Sequence, residues 1–204
     1  MKLYYFPGAC SMAPHIALNW VGAQFDIENP DTNSESYQKI HSVKQVPALV
    51  LDDGTVLTQC NAILRFIADS HPETNIGGTS DPRSQYEVNR WLSYVATDLH
   101  RAHAAYFFQP RFIIDGSDEE HARVKQAAEN LVKSLLQHCD NWLQGKTYTV
   151  GDRPTIADAY AFTVFRWSRN MAKPAYDFPN IKIYMDRMLQ DPGVKQAMER
   201  EGLS

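Results

Sequence analysis

The sequence is poor in cysteine, has no long apolar run and carries no surplus of positive charge. Its three cysteines, Cys10, Cys60 and Cys139, are too few and too scattered to form a disulfide framework, so a cysteine with a function here is a reactive thiol. No apolar stretch approaches the roughly 18 residues that a membrane span needs, which argues against a membrane-embedded protein. The first residues show no basic flank leading into an apolar segment, so no signal peptide is expected and a cytoplasmic location is. The 20 lysines and arginines stand against 24 aspartates and glutamates, a net charge of −4 with no basic run, which excludes nucleic acid and anionic membrane as partners. Repeats and low-complexity tracts are also missing. What is present is 44 % apolar content over 204 residues, enough for one large domain or two small ones.

The patterning divides the chain in two. Lys2-Leu3-Tyr4-Tyr5-Phe6 reads as a strand stopped by Pro7-Gly8. Ile16, Ala17 and Trp20 then recur at helical spacing; Pro14 fits only in a first turn, so the helix starts between Cys10 and Ala13. A second extended stretch is expected near Phe25 to Glu28, and Pro30 to Ser42 has no periodicity that decides between helix and loop. Asp52-Asp53-Gly54 between Val46–Leu51 and Thr55–Thr58 signals a hairpin, and Gln59 to Ser70 an amphipathic helix. The proline- and glycine-bearing stretch from His71 to Pro82 reads as a linker between residues 1–77 and 83–204. Beyond it only helical periods appear, with stripes at Val88, Trp91, Leu92, Val95, Leu99 and Ala102 and at Val124, Ala128, Leu131, Leu135, Cys139 and Trp142. Ile156 to Trp167 is apolar all round, as suits a central helix, and Thr155 with Asp158 forms a capping box at its start. Two shorter helices, from Asn180 to Leu189 and from Val194 to Arg200, complete an all-α bundle behind an α/β domain.

Among the candidate functional residues Cys10 stands first. It lies where a strand hands over to a helix, and unpaired N–H groups at that end favour an anion. A thiol pKa below the ordinary value is expected there, although a small buried filler is the plain alternative. His100 and His103 share a helical face, but no second pair completes a metal site, so no metal is expected.

The segment Tyr4-Tyr5-Phe6-Pro7-Gly8-Ala9-Cys10-Ser11-Met12-Ala13-Pro14-His15 resembles the amino-terminal signature of bacterial beta-class glutathione transferases. Gln45-Val46-Pro47-Ala48-Leu49, the Asp52-Asp53-Gly54 hairpin, Trp91-Leu92 to Leu99-His100 and Thr155-Ile156-Ala157-Asp158-Ala159-Tyr160 are similar to the family's segments in the same order, over nearly the whole chain. The resemblance implies a thioredoxin-like glutathione-binding domain followed by a helical bundle that supplies the second-substrate site, assembled as a homodimer. It implies glutathione as co-substrate, with no other cofactor, and a small hydrophobic electrophile as partner. Cys10 matches the cysteine beside the glutathione sulfur, able to form a mixed disulfide with it, and Tyr5 a nearby tyrosine whose alternative role is a strand aromatic packed on the core. Val46 matches the residue whose backbone pairs with the cysteinyl part of glutathione, by β-addition, and Pro47 the family's cis-proline. His100 and Arg101 match positions facing the cleft, where His100 stabilises a thiolate or relays a proton unless it only satisfies a bundle hydrogen bond. Tyr106, Phe107 and Phe108 either line the electrophile's pocket or pack the bundle.

Gln59 and Cys60 depart from the family, which presents an acidic residue and then serine here to hold the γ-glutamyl group; Ser93 stands where it has asparagine. Glutamine keeps an acceptor but loses the charge, which weakens glutathione binding by about 1 kcal/mol. The N–H groups of the helix start remain available to a carboxylate. Three expectations follow: conjugation of the glutathione thiolate to hydrophobic electrophiles, thiol–disulfide exchange through Cys10, and, as an alternative to catalysis, a carrier of hydrophobic ligands with weakened glutathione recognition. Asp158 and Cys139 are read as structural.

Overall fold

A computed structural model describes residues 1–203. Strand β1 (Lys2–Tyr4) lies inside a four-stranded sheet of order β2-β1-β3-β4, parallel to β2 (Asp26–Glu28) and antiparallel to β3 (Ala48–Val50). Leu3 sits opposite Ile27 on one side and Leu49 on the other, and both leucines are fully buried. Strand β4 (Val56–Thr58) returns from β3 through the expected hairpin, in which Gly54 takes φ +85°. Helices α1 (Met12–Trp20) and α3 (Cys60–Ser70) pack together through Ile16, Ile63 and Ile67, which are shut off from solvent.

The open segment from Pro30 to Ser42 contains a short helix, α2 (Glu35–Ile40), capped by the Ser34 hydroxyl accepting from the Tyr37 N–H at 3.3 Å. Only Tyr37 of this helix is buried, which is why six residues left no readable period. The stretch between the halves is not a free linker. Ile76 is 5 % exposed and its carbonyl accepts the Ile156 N–H at 2.8 Å, so the crossing strap is part of the core.

In the helical half, α4 (Pro82–Tyr94) and α5 (His100–Phe107) are joined by a π turn at Val95–Leu99, where the His100 N–H reaches back to Val95 O. The long helix α6 (Asp118–Leu143) faces inward with Ala128, Val132, Leu136, Cys139 and Leu143. The expected stripe through Leu131 is displaced, since Leu131 is 52 % exposed. Apolar pairs stand side by side at Leu131–Val132 and Leu135–Leu136, 100° apart on the helix, and the period alone cannot choose between them. Buried Asp140 caps α8 (Pro179–Met188), accepting the N–H groups of Asn180 and Ile181 at 2.7 and 2.9 Å. The last helix is α9 (Pro192–Arg200).

Helix α7 (Ile156–Phe165) is buried along its whole length and packs against α1, which joins the halves into one hydrophobic core. Its capping box forms as expected. The Asp158 carboxylate accepts the Thr155 N–H and hydroxyl at 2.8 and 2.9 Å, and the Thr149 N–H at 2.8 Å. Burial raises the Asp158 pKa to about 6 in spite of those donors. Replacing Asp158 with Ala leaves the donors of Thr149 and Thr155 buried without an acceptor, so the chain should lose about 3 kcal/mol of stability. A urea-unfolding midpoint equal to that of the wild type would contradict the capping account.

Candidate active site

The loop between β1 and α1 holds Cys10 by local bonds. The Phe6 N–H donates to Ser11 Oγ at 3.2 Å, the Ser11 hydroxyl donates to Phe6 O at 3.3 Å, and Gly8 turns at φ +71°. The helical half then fixes the loop tip: Glu201 accepts the Gly8 N–H at 2.9 Å, and Trp167 Nε1 donates to Gly8 O at 2.8 Å. Cys10 is half-buried and directs its Sγ at Val46 O, 3.5 Å away. The Val46–Pro47 peptide is cis, and no group among the described residues accepts the Val46 N–H. The backbone of this segment, just ahead of the inner strand β3, remains open to an extended peptide.

Here the electrostatic expectation for Cys10 is overturned. The N–H groups of Cys10 and Ser11 do favour the thiolate, but the loss of solvent outweighs them and raises the thiol from an ordinary 9.0 to about 12. Cys10 is therefore a neutral thiol near pH 7. The helix-end effect is typically about 1 kcal/mol, too small to offset the desolvation of a buried sulfur anion.

Helix α3 begins beside this loop. Gln59 precedes it, exposed and at φ +70°, in a backbone region that a side chain disfavours, and it makes no side-chain cap. The first N–H groups of α3 are thus free for an anion. Cys60 is 8 % exposed and its Sγ lies 3.5 Å from Cys10 O. From the helical half, His100 Nδ1 lies 2.7 Å from the Tyr160 hydroxyl, and Tyr160 lines the cleft together with Cys60. Burial, helped by the charge of Arg101, lowers the His100 pKa to about 4, so the ring is neutral near pH 7. A neutral imidazole relays a proton but contributes no full charge to a thiolate.

Cys10, Val46, Pro47, Gln59, Cys60, His100 and Arg101 all line one cleft of about 620 Å³ between the sheet and the bundle. Tyr5 does not. It follows β1, is partly buried, donates its N–H to Glu28 O and brings its ring edge-on to His15 at 6.4 Å. Tyr106 is buried in the bundle, whereas Phe107 and Phe108 line the cleft and are 45 % and 48 % exposed. Ser93 lies outside; Asn61 lines the cleft instead, with Nδ2 bonded to Leu92 O at 3.2 Å and Oδ1 unpartnered. Sequence reasoning missed Asn61, Tyr160, Trp167, Lys44 and Arg111. Tyr160 stood inside the motif that follows Thr155, and its polar hydroxyl on a helix that is apolar all round was the available signal. Lys44, Arg101 and Arg111 are the charged lining residues, and no carboxylate lines the cleft among the described residues, which suits an anionic ligand with an apolar partner.

Residues 1–69 match the family model described as the glutathione S-transferase N-terminal domain, and residues 90–192 the one for the C-terminal domain. The chain is 37 % identical, over all of both chains, to glutathione S-transferase GstA of Escherichia coli O157:H7. It superposes on the bacterial beta-class glutathione S-transferase of Sphingomonas chungbukensis with a TM-score of 0.86 at 34 % identity, covering 100 % of both chains. A sphingomonad glutathione S-transferase solved in complex with glutathione gives a TM-score of 0.84 at 33 % identity, again with full coverage of both.

The protonated state of Cys10 has a direct readout. With a pKa near 12, its thiolate fraction rises about tenfold per pH unit across the neutral and mildly alkaline range. Iodoacetamide labelling of Cys10, followed by mass spectrometry, should climb without levelling from pH 7 to about 10. A rate that is already flat near pH 7 would mean that the helix end prevails over burial.

Proposed function

The chain belongs to the glutathione S-transferase family and is a glutathione transferase; we propose that it works by laying glutathione along the open Val46–Pro47 edge, with the glutathione sulfur at Cys10. The observation that carries this reading is the convergence on one cleft of Cys10, the cis Val46–Pro47 peptide, the uncapped start of α3 and the helical-half groups His100, Phe107 and Phe108. The free Val46 N–H and its carbonyl pair with the cysteinyl unit. The first N–H groups of α3 receive the γ-glutamyl carboxylate, and Lys44 and Arg101 add positive field. The electrophile, a small hydrophobic molecule, enters against Phe107 and Phe108.

The reactive species is the glutathione thiolate, and the cleft's task is to keep it charged. Cys10, itself protonated, serves as a donor: its S–H and the N–H groups at the head of α1 direct positive ends at the bound sulfur. His100, neutral and tied to Tyr160, takes up or passes on the proton that glutathione gives up. The thiolate attacks the electrophile's carbon, the leaving group departs with the electron pair, and a thioether is released. The same thiol supports a second reading, exchange with a disulfide through a Cys10–glutathione mixed disulfide, favoured by the opening of Cys10 onto the cleft. A cytoplasmic site of action agrees with free thiols at Cys10 and Cys60. Pairing of two copies would cover Phe66 of α3 and Tyr86 of α4, which are 36 % and 62 % exposed.

The decisive experiment is conjugation of a chloronitroarene together with retention on immobilised glutathione. Both are expected; binding of hydrophobic ligands with neither would make the protein a carrier. Replacing Cys10 with Ala should abolish reduction of a small disulfide while conjugation survives about tenfold slower, because the backbone donors remain. Equal loss of both activities would contradict the donor role. Restoring a carboxylate by Gln59→Glu should lower the glutathione dissociation constant several-fold through a charge-assisted bond to the α-amino group, measured by calorimetry. Unchanged or weaker binding would reject the electrostatic account of position 59.

A further inference from the structure

A second thiol stands behind the first. Cys60 opens α3 with its Sγ one hydrogen bond, 3.5 Å, from the carbonyl of Cys10, and it shares the cleft wall with Tyr160, whose hydroxyl is 2.7 Å from His100 Nδ1. Conjugation as described above uses the backbone of Cys60 and leaves its sulfur without a task. The two cysteines differ in access. Cys10 is half-buried and meets a dissolved disulfide from the cleft, while Cys60 at 8 % exposure is reached almost only from inside the protein. The third thiol, Cys139, is fully buried in the helical half.

We propose that Cys60 is the resolving thiol of a Cys10–Cys60 dithiol pair, which releases glutathione from a mixed disulfide on Cys10 and leaves an intramolecular disulfide in the thiol corner of the cleft. The inference rests on the thiol-exchange reading of Cys10 and assigns that site its second reactive group. The oxidant is glutathione disulfide. In the first step Cys10 gives its proton to solvent and its thiolate attacks one sulfur of glutathione disulfide; the Cys10–S–S–glutathione bond forms, the glutathione S–S bond breaks, and a glutathione thiolate leaves with the electron pair and takes a proton back from solvent. In the second step Cys60 gives its proton to Tyr160, which passes its own to His100 Nδ1. The Cys60 thiolate then attacks the Cys10 sulfur and expels the second glutathione as thiolate. Two thiols are oxidised and one disulfide is reduced to two molecules of glutathione, so atoms and electrons balance.

The relay explains how a deeply buried thiol can act at all. Burial keeps Cys60 protonated at rest, while the Tyr160 hydroxyl favours its thiolate by donating to it. Burial makes the neutral ring of His100 a weak base, so it holds the proton only in passing and hands it to the expelled glutathione thiolate. Cys60 Sγ already reaches the backbone of Cys10 at 3.5 Å, which makes the two side chains neighbours, as a disulfide requires.

The test uses the full-length protein, glutathione disulfide, and intact-mass and peptide-mapping mass spectrometry after alkylation. Wild type should lose two hydrogens, link the Cys10 and Cys60 peptides, leave Cys139 as the only alkylatable thiol, and show the Cys10–glutathione adduct only in passing. In Cys60→Ser the adduct should accumulate and persist at least about tenfold longer. Tyr160→Phe, which keeps the ring, should lengthen the adduct's lifetime and shift the pH profile of its resolution upward. Equal adduct lifetimes in wild type and Cys60→Ser, or an adduct in wild type with Cys60 still alkylatable, would overturn the proposal. Diamide, which oxidises neighbouring thiols without occupying a glutathione site, separates the two failures. A Cys10–Cys60 link with diamide but no reaction with glutathione disulfide overturns the glutathione route and the exchange reading together; a stable adduct with no link under either oxidant overturns only the resolving role.

Discussion

Everything at the site depends on the clamp that holds Gly8 from both sides. Its N–H is taken by Glu201 beyond the last helix, and its carbonyl by the indole of Trp167 after α7. Glu201 is 4 % exposed and its other oxygen is 2.9 Å from Nδ1 of fully buried His15 on α1, so one carboxylate ties the loop, the first helix and the chain's far end together. A buried carboxylate left without such partners costs several kcal/mol, which makes the arrangement close to all-or-none. Cys10, two residues past Gly8, inherits its position from the helical half as much as from the strand before it.

Position and charge state then pull apart at Cys10. The strand-to-helix corner supplies the N–H groups that a thiolate needs, yet the clamp that makes the corner rigid also removes water from it. Dipoles at a helix end act at the scale of about 1 kcal/mol, whereas desolvation of an anion runs to several. Burial wins for the protein's own sulfur. On the proposed binding mode, glutathione would change the balance by bringing its sulfur to the same donors from the open side, so that the preorganised N–H groups would serve the ligand's thiolate and not the protein's.

Much of this was legible in the sequence, for reasons that differ by residue. Cys10 and Val46–Pro47 could be placed in the cleft because their positions depend on local backbone: a helix start and a proline just ahead of a strand. The Thr155–Asp158 box could be read because both partners lie within one turn. The place of Tyr5 was not legible, because a motif records that a tyrosine is present and not where its ring turns; here it faces His15, away from the lining of the cleft. Tyr160, Trp167 and Asn61 could not be found by spacing, since each reaches the cleft only through the packing of α7 against α1 or of α3 against the helical half. The π turn before His100 also left no mark, because one extra residue in a helical period falls within the scatter of any apolar stripe.

The same separation of near and far effects decides what Gln59 does. Lys44, Arg101 and Arg111 surround the cleft with positive charge that no lining carboxylate opposes among the described residues. An acidic residue at position 59 would gain about 1 kcal/mol from direct contact with an ammonium group. It would also act on the thiolate at the other end of an extended tripeptide, roughly 10 Å away, where two like charges repel by about 0.4 kcal/mol in a water-like medium. Contact outweighs distance, so glutamine at this place lowers affinity more than it relieves the sulfur anion. The compensation it does provide falls on the reacting atom. A carboxylate here would hold the tripeptide more firmly while making its thiol slightly harder to ionise, and the chain's own residue moves both quantities the other way.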